Sequence, residues 1–189
     1  MNPSGTQKTE DRRQRTDIRY PSSVLRHLLF WPIFAGGLIF DLWSKSAVFA
    51  WLKNSGRDGF PIIEGFLRLQ LAENPGAAFG IATGQRLLLV AVSAAALAVV
   101  LAISLFGRTD RKITHVALAL FAAGVSGNLY DRLFNAGLVR DFIDVVYWPG
   151  KHWPAFNAAD SMLCVAVGLL ILSSLFTGRS CQKPAQPQK

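Results

Sequence analysis

The sequence predicts an all-α membrane protein: four transmembrane helices with a small extracytoplasmic β platform and loop. Three observations carry that prediction. Hydrophobic residues make up 51% of the 189 positions and charged ones only 17%, and the mean hydropathy is +0.28, more apolar than an ordinary soluble domain. Four runs approach the roughly 20 residues that a bilayer core demands. Lys and Arg are divided unevenly between those runs: residues 1–27, 107–112 and 178–189 hold twelve in 45 positions, whereas 45–86 and 132–157 hold eight in 68. The positive-inside rule then places both termini and the short middle loop in the cytoplasm, and the two longer loops outside.

Residues 1–27 are polar and rich in Arg, Ser and Thr, which fits a disordered basic cytoplasmic tail. The first span runs from Leu28 to Leu52, opening LLFWPIFAGGLIF and interrupted by Asp41 and Lys45. Basic residues before a short apolar core also describe a signal peptide; three further spans favour an uncleaved first helix. In GFLRLQLA, Leu67, Leu69 and Leu71 alternate with Phe66, Arg68 and Gln70, a strand period that predicts a small platform on the outer membrane surface. ENPGAAFGIA, Glu73 to Ala82, is a turn signal: either an ordinary tight loop or a substrate contact. Arg86–Phe106 and Ile113–Phe134 are the second and third spans. GLVRDFIDVVYW follows as an outer loop whose Tyr147 and Trp148, with Trp153 and Phe156, resemble an interfacial aromatic belt. The fourth span is Phe156–Phe176, and 178–189 is a polar cytoplasmic tail, leaving 28–177 as the membrane domain.

The polar residues converge at the outer face. Beyond Glu73 the only carboxylates are Asp110, Asp131, Asp141, Asp144 and Asp160, and four of these five lie within thirty residues. Asn157 and Asp160 stand at i, i+3 on one face of a starting helix. Asp160 is therefore either a first-turn acid favourable to the helix dipole or one half of an acid–base pair. Asp141 and Asp144 sit among Val, Phe and Ile, where desolvation favours the protonated carboxyl; facing a second carboxylate, such a group shares one proton with it. An acidic surface loop is the competing reading. Gly124, Ser126 and Gly127 are small enough for close helix packing, and Asn128, Asp131 and Arg132 at i, i+3, i+4 either tie the third helix to its neighbours or serve a site. Asp41 and Lys45, at i, i+4, either neutralise each other or meet substrate.

Several function classes lose support. Gly-Val-Ser-Gly at 124–127 imitates the nucleophile motif of rhomboid serine proteases, but a serine nucleophile needs a base within reach. Of the three histidines, His27 and His115 fall on the cytoplasmic side and His152 in a loop. No metal, nucleotide or other cofactor pattern is present. Cys164 lies in the last span and Cys181 in the tail, so no disulfide is expected. The net charge of +8 sits beside apolar segments, which points to anionic membrane lipids and not to nucleic acid.

Taken together, Asp41-x-x-Ser44-Lys45, Asn74-x-Gly76-Ala77-Ala78-Phe79, Gly127-Asn128-x-x-Asp131-Arg132, Val139-x-Asp141-Phe142 and Phe156-Asn157-x-Ala159-Asp160 resemble lipoprotein signal peptidase, signal peptidase II, over residues 28–177. The resemblance implies a four-helix aspartic endopeptidase of the bacterial inner membrane. Such enzymes remove signal peptides from diacylglyceryl-modified prolipoproteins, cutting before the lipidated cysteine, and are inhibited by globomycin. It assigns catalysis to Asp141 and Asp160, and supporting roles to Asp41, Asn74, Gly76, Asn128, Arg132 and Asn157. Lys45 and Asp131 join the supporting set on the residue reading. The chain departs from the family in Ala123-Gly124 for a glycine pair, in about one extra residue between Arg132 and Asp141, and in a longer basic N-terminal tail.

The implied chemistry has one aspartate take a proton from water while the other donates to the scissile carbonyl. The rival class is a proton-coupled carrier. It needs a polar path to the cytoplasm, yet the second span offers only Ser93 and Ser104, and the cytoplasmic half of the third only Thr114 and His115.

Overall fold

The computed structural model describes residues 22–77, 80–107 and 111–175. Most of the expected N-terminal tail, all of the C-terminal tail, and Ala78 and Phe79 of the turn motif lie outside the described residues. Helix α1 covers Ser22–Asn54, opening six residues before the expected Leu28. Helix α2 covers Arg86–Phe106, α3 Lys112–Phe134 and α4 Ala158–Leu175. All four contain a stretch long and apolar enough to cross a membrane.

Helix α3 is the centre of the bundle: 56% of its most apolar window is buried, against 11% for α2. It packs against the other three helices, most extensively α4 and α1. Small residues make this possible. A methyl at Gly124 would lie 2.6 Å from the Ala159 carbonyl oxygen and 2.8 Å from Leu163 Cγ, so only glycine lets α3 and α4 approach this closely. At the other end of the bundle, Phe30 of α1, Val100 of α2 and Leu118, Ala119 and Ala122 of α3 form the apolar core. Leu87, Val92, Val99, Ile39, Phe40, Ile171 and Leu172 face outward. That is the pattern of helices solvated by lipid.

The platform is a four-stranded antiparallel sheet in the order β1-β2-β3-β4, made of Gly59–Ile63, Leu67–Asn74, Val139–Trp148 and Lys151–His152. The GLVRDFIDVVYW segment, read from sequence as a loop, is its longest strand. The expected alternation in β2 is broken. Leu69 pairs with Ile143, but the next partner pair is Ala72 with Asp141, so two β2 residues oppose one of β3. This bulge reverses the parity of the strand. Leu71 leaves the face of Leu67 and Leu69, and Asn74 joins it.

Candidate active site

Asn157 and Asp160 cap α4 reciprocally. The Asp160 backbone N–H donates to Asn157 Oδ1 at 3.0 Å, and the Asn157 N–H donates to Asp160 Oδ2 at 3.1 Å, a capping box built from two short polar side chains. A third orphan donor of the helix, the Ala159 N–H, gives to Asp41 Oδ1 of α1 at 2.8 Å. Asp160 is thus held by its place in the first turn. Its other oxygen, Oδ1, accepts from Asn128 Nδ2 at 2.8 Å.

Asp141 arrives from β3. The strand is stapled to the residue before the α4 cap: Phe142 and Ile143 N–H groups donate to the Phe156 carbonyl, and the Phe156 N–H returns a bond to Ile143 O at 3.0 Å. That staple brings together two carboxylates nineteen residues apart in the chain. Asn157 Nδ2 donates to Asp141 Oδ1 at 2.6 Å, so one asparagine touches both acids. Asn74 Nδ2 donates to Asp141 Oδ2 at 3.1 Å, a contact that depends on the β2 bulge. Without the extra residue Asn74 would point to the opposite face. Asn74 also shapes the turn after β2, accepting the Gly76 N–H at 2.9 Å, and Arg132 Nη2 holds that turn through Gly76 O at 2.9 Å.

Beneath the two acids lies a buried ion network. Lys45 Nζ is 2.7 Å from Asp41 Oδ2 and 3.3 Å from Asp131 Oδ2, all three side chains fully buried. It also donates to Asn128 Oδ1 at 3.0 Å. Asp131 is forked by Arg140, whose Nη2 and Nε donate to its Oδ1 at 2.7 and 3.1 Å. Gly127 is what admits Asp41, since a methyl there would overlap Asp41 Oδ2. Burying charge is tolerable only with such pairing.

Asp141 is 2% exposed. Burial first, then the charge of Asp160, pushes its carboxyl from 3.8 up to about 7, although the Asn74 and Asn157 donors and Lys45 pull it down. A carboxyl raised to about 7 beside a second carboxyl is chemically equipped to exchange protons with a water near neutral pH. Among the described residues no group of three or more His, Cys, Asp and Glu side chains is placed to hold a metal ion.

The fold and this cluster have counterparts among known proteins. The family model described as Signal peptidase (SPase) II matches residues 33–176. The chain belongs to the signal peptidase II family. It is similar to the lipoprotein signal peptidase of Rhodopirellula baltica, 36% identical over 189 aligned residues that cover 92% of this chain and 82% of the relative. For the Neisseria gonorrhoeae lipoprotein signal peptidase the identity is 32%, with coverage of 86% and 98%. A solved bacterial membrane enzyme structure superposes with TM-score 0.70 at 28% identity, covering 82% of this chain and 92% of that one. A second gives TM-score 0.63 at 31% identity, with coverage of 76% and 90%. Signal peptidase II membership makes the chain a membrane-embedded peptidase.

All ten residues singled out from sequence fall in this cluster: Asp41, Lys45, Asn74, Gly76, Asn128, Asp131, Arg132, Asp141, Asn157 and Asp160. Asp144 does not. It points to the other face of β3, buried, with His152 Nδ1 at 2.9 Å and Arg68 Nε at 3.5 Å. The residue missed was Arg140. Its signal was present: an arginine inside the apolar run LVRDFI needs a buried anion. Ser126 Oγ is buried with no hydrogen-bond partner among the described residues, and so has no base bonded to it there.

Proposed function

We propose that this signal peptidase II is an aspartic endopeptidase that removes signal peptides from diacylglyceryl-modified prolipoproteins, cutting before the lipidated cysteine, with Asp141 and Asp160 as the catalytic pair. The observation that carries the proposal is the convergence of these two carboxyls on Asn157, at a site floored by paired charges. With a single proton on the pair, the cluster balances: Asp41, Asp131 and one dyad carboxylate against Lys45, Arg132 and Arg140. A second negative charge on the pair would have no cation left to answer it. Electroneutrality and the raised Asp141 carboxyl therefore agree.

The steps follow from that state. The ionised carboxylate takes a proton from a water, whose oxygen adds to the scissile carbonyl carbon. The protonated carboxyl donates to the carbonyl oxygen, stabilising the tetrahedral intermediate. Collapse breaks the C–N bond, and the departing amine leaves with a proton returned by the dyad. Asn128 and Asn157 orient the acids, and Arg132 and Asn74 hold the turn at Gly76 against the site. The substrate's lipid lies in the bilayer beside the apolar outer faces of the helices, among membrane lipids.

The charge distribution supports a bacterial inner-membrane location with both termini cytoplasmic and the dyad near the periplasmic face. Residues 28–177 form the peptidase unit between a basic N-terminal tail and a polar C-terminal one. Globomycin is the expected inhibitor. The test is mass spectrometry of products from a prolipoprotein offered with and without its diacylglyceryl group. The proposal expects one cut, before the cysteine, on the lipidated form and blocked by globomycin. Equal cleavage of the unlipidated form would defeat it.

A further inference from the structure

Arg140 is the residue next to Asp141 in β3, yet it faces away from the dyad. It reaches two other elements. Its Nη2 and Nε fork Asp131 Oδ1 on α3 at 2.7 and 3.1 Å, and its Nη1 donates to Ser46 Oγ on α1 at 3.2 Å. Its backbone N–H gives to the other oxygen, Asp131 Oδ2, at 3.0 Å. The Arg140 side chain is 18% exposed, and that of Asp131 is fully buried. One residue therefore ties the strand carrying Asp141 to α1 and α3, the helices that carry Asp41, Lys45, Asn128, Asp131 and Arg132.

The fork also decides where Lys45 spends its charge. Lys45 has three oxygens within reach: Asp41 at 2.7 Å, Asn128 Oδ1 at 3.0 Å and Asp131 at 3.3 Å. Asp131, the most distant, is the one that Arg140 also neutralises. Lys45 is left free to hold Asn128 by its carbonyl, which turns the amide nitrogen of Asn128 toward Asp160 at 2.8 Å. Remove the guanidinium and Asp131 becomes a buried anion short of a partner, the costly arrangement. Lys45 is drawn to it, and Asn128 Oδ1 is left with only the longer Asn157 Nδ2 contact at 3.2 Å to set its amide.

We propose that Arg140 is a positioning residue for the reaction: by neutralising Asp131 it keeps Lys45 on Asn128 and so orients Asn128 toward Asp160, while its backbone and side chain lock Asp141 in place. This rests on the dyad reading above. Among the described residues the charged groups of the buried cluster around Asp141 are Asp41 and Lys45 on α1, Asp131 and Arg132 on α3, Asp160 on α4 and Arg140 itself, with the exposed Glu73 paired across the ladder with Arg140 and outside it. Losing one cation from this set disfavours the doubly ionised dyad, so the alkaline limb of the cleavage profile must move upward.

The test uses full-length enzyme in detergent micelles or vesicles with a lipidated prolipoprotein. Wild type, Arg140→Gln, Arg140→Lys and Asp141→Asn are compared for kcat, KM, pH profile and folded fraction. Arg140→Gln is expected to lower kcat on the order of 10- to 100-fold with little change in KM, and to move the alkaline limb of kcat/KM upward. Arg140→Lys keeps the charge without the fork, and is expected to keep the limb and recover part of kcat. Wild-type kcat and limb in Arg140→Gln overturn the proposal. So does a loss of activity that merely tracks the folded fraction with the limb unmoved. Normal turnover by Asp141→Asn would instead sink the dyad reading, separately from any result at Arg140.

Discussion

Asp141→Asn should make the protein more stable at alkaline pH while removing its activity. The folded protein holds the Asp141 carboxyl at about 7, where an aspartate in the open chain titrates at 3.8. Between those values the unfolded chain releases the proton first and the folded one keeps it, so stability falls as pH rises through that window and stays lowered above it. A difference of about three units, at 1.36 kcal/mol each, puts the cost near 4 kcal/mol above pH 7. Asparagine escapes that cost but turns an NH2 toward one of its two amide donors, Asn74 or Asn157, losing about 1–2 kcal/mol. The net is about 2 kcal/mol of stabilisation at pH 8, or roughly 4–8 °C in Tm for a chain of this size. At pH 5, little more than one unit above 3.8, the cost is only about 1.6 kcal/mol, close to what asparagine loses, so the variant is expected to be about equally stable. The assay is tryptophan fluorescence during thermal unfolding in detergent at matched scan rates, since membrane proteins often unfold irreversibly. A stability difference that is the same at pH 5 and pH 8 would refute the reasoning.

Three other perturbations separate framework from site. Gly127→Ala pushes a methyl into Asp41 Oδ2, displacing a fully buried carboxylate from Lys45 and the α4 N-terminus; a loss of about 3–5 kcal/mol should appear as little folded protein on size exclusion. Its neighbour Ser126→Ala removes only an unpartnered buried hydroxyl and should fold and cleave normally; a folded but dead variant would contradict the dyad. His152→Ala leaves buried Asp144 with Arg68 alone, on the face of β3 turned away from Asp141, so Tm should drop by the equivalent of about 1–2 kcal/mol with kcat unchanged per folded molecule.

The helices were legible because a bilayer imposes a length and an apolar composition that a single chain displays directly. Arg86–Phe106 was read to the residue, and the other spans to within a few except at the start of α1. The cap role and the site role of Asp160 were both visible in the i, i+3 spacing with Asn157, and the structure joins them in one capping box. The sheet was mostly hidden. In VRDFIDVVYW, Arg140 and Asp144 face one way and Asp141 the other, because each face meets its own set of buried partners; no apolar alternation survives. The β2 bulge was invisible for a different reason. It is defined by the register against β3, a strand some seventy residues downstream, and GFLRLQLA alternates cleanly by itself. Yet that bulge is what turns Asn74 toward Asp141. Arg140 was counted only as a loop charge, since its partner Asp131 lies across a turn on another element.

The most direct measurement of the central claim is the turnover of a lipidated prolipoprotein by purified wild type, Asp141→Asn and Asp160→Asn, each normalised to folded protein. The account predicts cleavage by the wild type alone, with both variants folded and inactive. Turnover near the wild-type rate by either variant would show that the pair joined by Asn157 does not carry the chemistry.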